Sequence, residues 1–187
     1  MQHCIRTALD ALPPGKIRVI SMCAGDGRDL LGVLADHPRA SDVVGRLVEL
    51  DSDLAAAARR AAPPGLEVSC GDASVSDAYA GAVPAEIVLV CGVFGNMSDA
   101  DVERTARALS SLCARGATVI WTRHRRAPDL TIAIRRWLGE SGFEELAFVA
   151  PPEFLYSVGM HRLAAAPRPW SAGERWFAFV ANTDPST

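Results

Sequence analysis

Ser21-Met22-Cys23-Ala24-Gly25-Asp26-Gly27-Arg28-Asp29-Leu30-Leu31 is the stretch that decides the fold. It closes an apolar run, residues 17–23, that reads as a β-strand, and opens residues 28–36, whose apolar side chains recur at helical spacing. Glycines at 25 and 27 let the backbone turn sharply and let a ligand approach the main chain without meeting a Cβ. The helix that follows aims its first N–H groups at the same spot. A G-x-G alone also fits a plain tight turn, so the weight falls on what the next strands carry.

The second apolar run, residues 43–50, ends in Glu49-Leu50-Asp51, with Glu49 22 residues beyond Gly27. An acidic side chain at the tip of the neighbouring strand accepts hydrogen bonds from both hydroxyls of a ribose. The third run, residues 66–70, ends in Cys70-Gly71-Asp72-Ala73 and sets a second carboxylate beside the crevice, within reach of an adenine amino group. Asp51 and Asp53 read instead as caps for the helical pattern at 54–61.

Further apolar runs at 87–91 and 117–121 read as strands, separated by a helical pattern at 99–113 that Ser98 and Asp101 introduce as a capping arrangement. Pro-Pro-Gly at 13–15 and again at 63–65 ends a helix and turns the chain into a strand. Alternation of this kind predicts an α/β domain, Rossmann-like, with a mostly parallel sheet and helices on both faces. After a helix at 130–141 the pattern changes to three strands, 143–150, 155–163 and 175–180, with no helix long enough for a crossover. Neighbouring strands without crossovers run antiparallel, so a C-terminal antiparallel hairpin closes the sheet. The expected organisation over 1–187 is a single domain: a short N-terminal helix within 1–15, a cofactor half at 16–122 and an acceptor half at 123–187.

Composition narrows the class. With 49% hydrophobic and 22% charged residues the chain has the balance of a soluble globular protein. A net charge of −3 gives nucleic acid or an anionic membrane no electrostatic footing. Five cysteines, odd in number and never in a C-x-x-C pair, argue against a disulfide framework or a zinc site and for a reducing compartment. No stretch approaches the ~20 apolar residues of a membrane span, so a cytoplasmic location is expected.

On these residues the chain resembles the class I S-adenosylmethionine-dependent methyltransferases over nearly its whole length. Ala24-Gly25-Asp26-Gly27-Arg28-Asp29 is similar to the family's glycine-rich first motif, Glu49 to its ribose-binding acid, and Gly71-Asp72-Ala73 to its adenine-side motif. Residues 86–91, followed by Gly92-Val93-Phe94-Gly95-Asn96, resemble its fourth strand and the loop that faces the transferred methyl. Arg115-Gly116-Ala117 stands where the family often has Pro-Gly-Gly. The resemblance implies a seven-stranded sheet and S-adenosylmethionine as cofactor, bound by Cys23, Ala24, Gly25, Asp26, Gly27, Glu49, Leu50, Asp72, Ala73, Cys91 and Gly92, with no metal. Two positions depart from it: Ser21 replaces an acid in the first strand, and Cys23 replaces the first glycine. Asp26 either supplies the missing charge for the methionine amino group or faces water.

The acceptor is expected beyond strands four and five, at the carboxyl edge of the sheet. Strand five ends in Trp121-Thr122-Arg123-His124-Arg125-Arg126. His124 is placed to act as the base, with Asn96 beside it, while Arg123 and Arg125 are placed to hold a carboxylate or phosphate and Phe94 to border the pocket. A solvated basic loop and a structural histidine are the competing readings. Few residues precede strand one, so any lid comes from acceptor loops, from a homodimer partner, or from sequence upstream. The reading is methyl transfer to oxygen or nitrogen of a small molecule. A cofactor-binding partner without chemistry is the alternative; a nicotinamide-dependent oxidoreductase would want a third glycine where this chain has Leu30.

Overall fold

The computed structural model of the chain describes residues 1–180. Helix α1 spans Gln2–Asp10 and leads to β1, Ile17–Met22; α2, Arg28–Leu34; β2, Val43–Glu49; α3, Ser52–Ala61; and β3, Leu66–Cys70. Then come β4, Ala85–Val90; α4, Asp99–Ala108; β5, Cys113–His124; α5, Thr131–Glu140; β6, Phe143–Val149; and β7, Tyr156–Leu163. The seven strands stand in the order β3-β2-β1-β4-β5-β7-β6. The first five pair parallel, and β7 lies antiparallel between β5 and β6, so the expected closing hairpin is β6–β7.

Strand residues alternate between two covered faces, which is why several of the parallel strands read as nearly continuous apolar runs. Val19, Leu47 and Ile87 pack under α1, α2 and α3; Ile20, Val48 and Val88 pack under α4 and α5. Each face therefore has its own core, and the sheet's carboxyl edge is left to loops. Asp51 caps α3 by accepting from the amides of Asp53 and Leu54, and Ser98 caps α4 by accepting from Asp101.

Two expectations are corrected. Strand β5 is longer than 117–121: it starts at Cys113, because the helix before it ends at Ala108 and a single 3₁₀ turn, Leu109–Ser111, completes the approach. Residues 175–180 are not a strand of the sheet. They form a strap held by two isolated bridges, Val75 to Arg175 and Met97 to Phe179, so their partners are loops rather than a strand edge. Trp176 and Phe177 are both buried in succession, which no alternating strand would do. Trp176 stacks on Tyr79 with ring centroids 5.7 Å apart.

Candidate functional site

The loop between β1 and α2 is wound tightly by its glycines. Gly25 has φ 59° and Gly27 φ 77°, both in the left-handed region. A Cβ on Gly27 would stand 2.7 Å from Leu31 Cδ1, whereas one on Gly25 would meet nothing within 4 Å. The space at Gly25 opens on a cavity of about 510 Å³, walled by Cys23, Ala24, Gly25, Asp26, Asp29, Cys91 and Gly92 among others. Gly92, φ 73°, likewise leaves open space where its Cβ would be.

Glu49 sits at the tip of β2 and braces this loop. Its Oε2 accepts from the Gly25 amide at 2.7 Å and its Oε1 from the Asp51 amide at 3.0 Å. Only 9% of the residue is exposed, so the acid is largely buried rather than standing free at the strand tip. Cys23, where the resembled family carries glycine, holds φ 50°, a conformation that costs a non-glycine residue about 1–3 kcal/mol. Burial first, then Glu49 and Asp72, push its thiol up to about 12, so it stays protonated and is no nucleophile.

The carboxylates around the cavity have different partners. Arg28 clamps Asp26 through Nε and Nη2 at 2.6–3.0 Å and holds its carboxyl down to about 2. Asp72 accepts from the Ser74 amide at 2.9 Å and pairs with Arg175 of the strap at 2.9 Å. Desolvation raises its carboxyl, but these bonds outweigh that and bring it below its ordinary value. Asp29 also walls the cavity, and sequence reasoning did not single it out. Its carboxyl is raised, chiefly by burial.

Not every residue expected at the cofactor lines the cavity. Gly27 is buried against Leu31, Glu49 braces the loop from outside the wall, Leu50 is exposed beyond it, Asp72 lies outside it, and Ala73 is buried in the core, its carbonyl accepting from the Tyr79 hydroxyl at 2.7 Å.

A second cavity of about 290 Å³ adjoins the first, and the two share Gly92, Thr122 and Tyr156. Gly95, Asn96, Arg123 and His124 complete its wall. The Gly92 amide donates to Thr122 Oγ1 at 2.8 Å, and Asn96 Nδ2 donates to the Gly92 carbonyl at 3.0 Å, so the β4 loop is tied across β5. Desolvation, then the positive charges of Arg123 and Arg126, lower the His124 pKa, which keeps the imidazole neutral at neutral pH. Its Nδ1 is buried with no partner among the described residues.

Three expectations about the acceptor side change. Phe94 does not border the cavity: it is wholly buried and packs edge-on to Trp121. Arg125 is spent on backbone, donating to the carbonyls of Pro151 at 2.7 Å and Phe154 at 2.6 Å, so it anchors the β6–β7 loop. Arg123 does reach the cavity wall but is itself buried, donating to the Phe94 carbonyl without an ion pair among the described residues. Tyr156, by contrast, stands where both cavities meet.

No protein-family model matches the chain, and no curated protein matches it by sequence. Solved structures do match in shape. The CurJ carbon methyltransferase superposes with a TM-score of 0.66 at 16% identity, over 86% of this chain and 52% of its own, so this chain spans about half its length. The magnesium protoporphyrin IX methyltransferase of Synechocystis PCC 6803, solved with bound S-adenosylhomocysteine, gives 0.61 at 13% identity over 86% of this chain and 79% of that one. The [4+2]-cyclase SpnF gives 0.62 at 13% over 86% and 80%. The chain therefore has the methyltransferase-type Rossmann-like fold, a fold that is also found on a cyclase.

Proposed function

We propose that this chain is an S-adenosylmethionine-dependent methyltransferase that acts on oxygen or nitrogen of a small acceptor. The observation that supports this reading is the junction of two cavities at Gly92, Thr122 and Tyr156, one walled by the glycine-rich loop and the other by a neutral histidine. The site fits the cofactor because Gly25 and Gly92 present bare backbone to open space and Glu49 is already fixed beside them.

Bound there, S-adenosylmethionine supplies a methyl group on a positive sulfur whose departure needs no protonation. The protein's own task is alignment, an effect worth roughly 10⁵–10⁸ M in effective concentration. Each oxygen of Glu49 accepts one backbone N–H, and a carboxylate offers about four acceptor sites. The remaining sites take the hydroxyls of a ribose. Asn96 uses its amide nitrogen on Gly92, leaving its side-chain oxygen for the acceptor. His124 takes the proton that an O–H or N–H acceptor must lose. Arg123 adds positive potential beside it, which steadies the anion that forms.

A cofactor-binding partner without chemistry is the second reading, favoured by Cys23 held at φ 50° in the first motif. Product formation from S-adenosylmethionine across a panel of small hydroxyl and amine acceptors separates the two. Methylated product that disappears in His124→Ala supports the enzyme; binding of S-adenosylhomocysteine with no product from any acceptor favours the partner.

A further inference from the structure

We infer that Asp29 is the residue that holds the ammonium group of the cofactor's methionine end, in place of the acid that β1 lacks. The inference rests on the cofactor reading above. S-adenosylmethionine and S-adenosylhomocysteine both carry an α-ammonium, and a cation taken into a partly closed cavity needs a negative partner. Ser21, at the position where the resembled family has its acid, is buried in β1 and is not part of the cavity wall.

Two carboxylates do wall the cavity, Asp26 and Asp29. Asp26 is committed to Arg28, which grips both of its oxygens and also donates to it through the backbone at 3.1 Å. Asp29 makes no salt bridge and accepts no side-chain hydrogen bond among the described residues. The positive groups that act on it, the α-amino group of Met1 and Arg28, do so only through space. It stands in the first turn of α2, two residues past Gly27, and walls the same cavity as Cys91 and Gly92 at the end of β4. Burial that costs a lone carboxylate its hydration is offset when a ligand ammonium arrives. Asp29 is thus both available and short of a partner, and Asp26 is neither.

Titration calorimetry of wild type and Asp29→Asn with two ligands tests this. S-adenosylhomocysteine carries the ammonium; 5′-methylthioadenosine keeps the nucleoside and thioether but has no amino-acid end. The expected result is a loss of about ten- to a hundredfold in affinity of Asp29→Asn for S-adenosylhomocysteine, the span of one charge-assisted hydrogen bond. Affinity for 5′-methylthioadenosine is expected to stay within about twofold, and Asp29→Glu, which keeps the charge, to recover part of the loss. An unchanged affinity for S-adenosylhomocysteine in Asp29→Asn overturns the inference. So does an equal loss for both ligands, which would mean the substitution disturbs the nucleoside side. Wild type binding neither ligand would instead remove the cofactor reading, and the inference with it.

Discussion

Replacing Glu49 by alanine removes two acceptors at once, and the structure changes what that substitution should do. Besides the ribose role proposed for it, the carboxylate is an internal brace, because it takes the amides of Gly25 at 2.7 Å and Asp51 at 3.0 Å. A hydrogen bond to a charged group contributes roughly 1.5–3 kcal/mol, and a buried donor left unpaired costs about 1–3 kcal/mol. Gly25 is half-buried and Asp51 exposed, so water can reach these amides in the variant and the net loss of stability is expected near ~1–2 kcal/mol. For a chain of this size that lowers Tm by about 2–8 °C. Affinity for S-adenosylhomocysteine should fall by about ten- to a hundredfold, from the lost ribose contacts and the loosened loop together. Glu49→Gln is not the mild variant its shape suggests. Its NH₂ must face one of two N–H donors, so one bond becomes a donor–donor contact and the Tm should fall nearly as far. Thermal melts and calorimetric titration of both variants, with circular dichroism to confirm folding, supply the readout. Wild-type Tm and wild-type affinity in Glu49→Ala would refute the reasoning at both levels.

Three further predictions follow from the packing and the charges. His124→Ala should lower turnover by ~10²–10⁴ while cofactor affinity stays put; because burial and Arg123 lower the pKa of this imidazole, wild-type turnover should persist below pH 6.5 before it drops. An ordinary turnover in the variant would make His124 structural. Gly159→Ala should destabilise by about 1–3 kcal/mol, since its Cβ would stand 2.2 Å from Cε2 of the fully buried Trp121; an unchanged denaturation midpoint would contradict the β5–β7 register. His161 is buried, accepts from Trp121 Nε1 at 3.2 Å and has its pKa lowered to about 4, mainly by desolvation. The unfolded chain therefore binds a proton that the native one does not between pH 6.5 and about 4, so stability falls as pH drops through that window. His161→Gln should flatten that slope in denaturant titrations at several pH values, and an equal slope would argue against a buried neutral imidazole.

The parallel half of the sheet was legible because strands covered on both faces are mostly apolar, as residues 17–22 are apart from Arg18 and Ser21 and residues 85–90 are apart from Glu86. The Gly25, Gly27 and Glu49 spacing was legible for a related reason: backbone turned sharply at one strand tip needs a partner at the next. What escaped the sequence is whatever depends on a partner distant in the chain. Arg175 to Val180 has the composition of a strand, but its neighbours are the loops at Val75 and Met97, some 80–100 residues away in sequence. An aromatic just after a strand, such as Phe94, reads the same whether it faces a pocket or the core. Arg123 and Arg125 look alike in sequence, yet one meets the cavity and the other grips two carbonyls of the β6–β7 loop. Asp26 and Asp29 are likewise equivalent on paper. The signal that separates them is Arg28, which lies between them and chooses Asp26.

Whether the glycine-walled cavity takes S-adenosylmethionine is tested by a thermal melt of the wild-type protein with S-adenosylhomocysteine or NAD. A ligand specific for the native state at a hundred times its Kd contributes about 2.7 kcal/mol, which corresponds to a rise of about 5–11 °C in Tm for a chain of this length. That rise is expected with S-adenosylhomocysteine and none with NAD at the same concentration. No shift with millimolar S-adenosylhomocysteine on a folded sample, or a larger one with NAD, would contradict it.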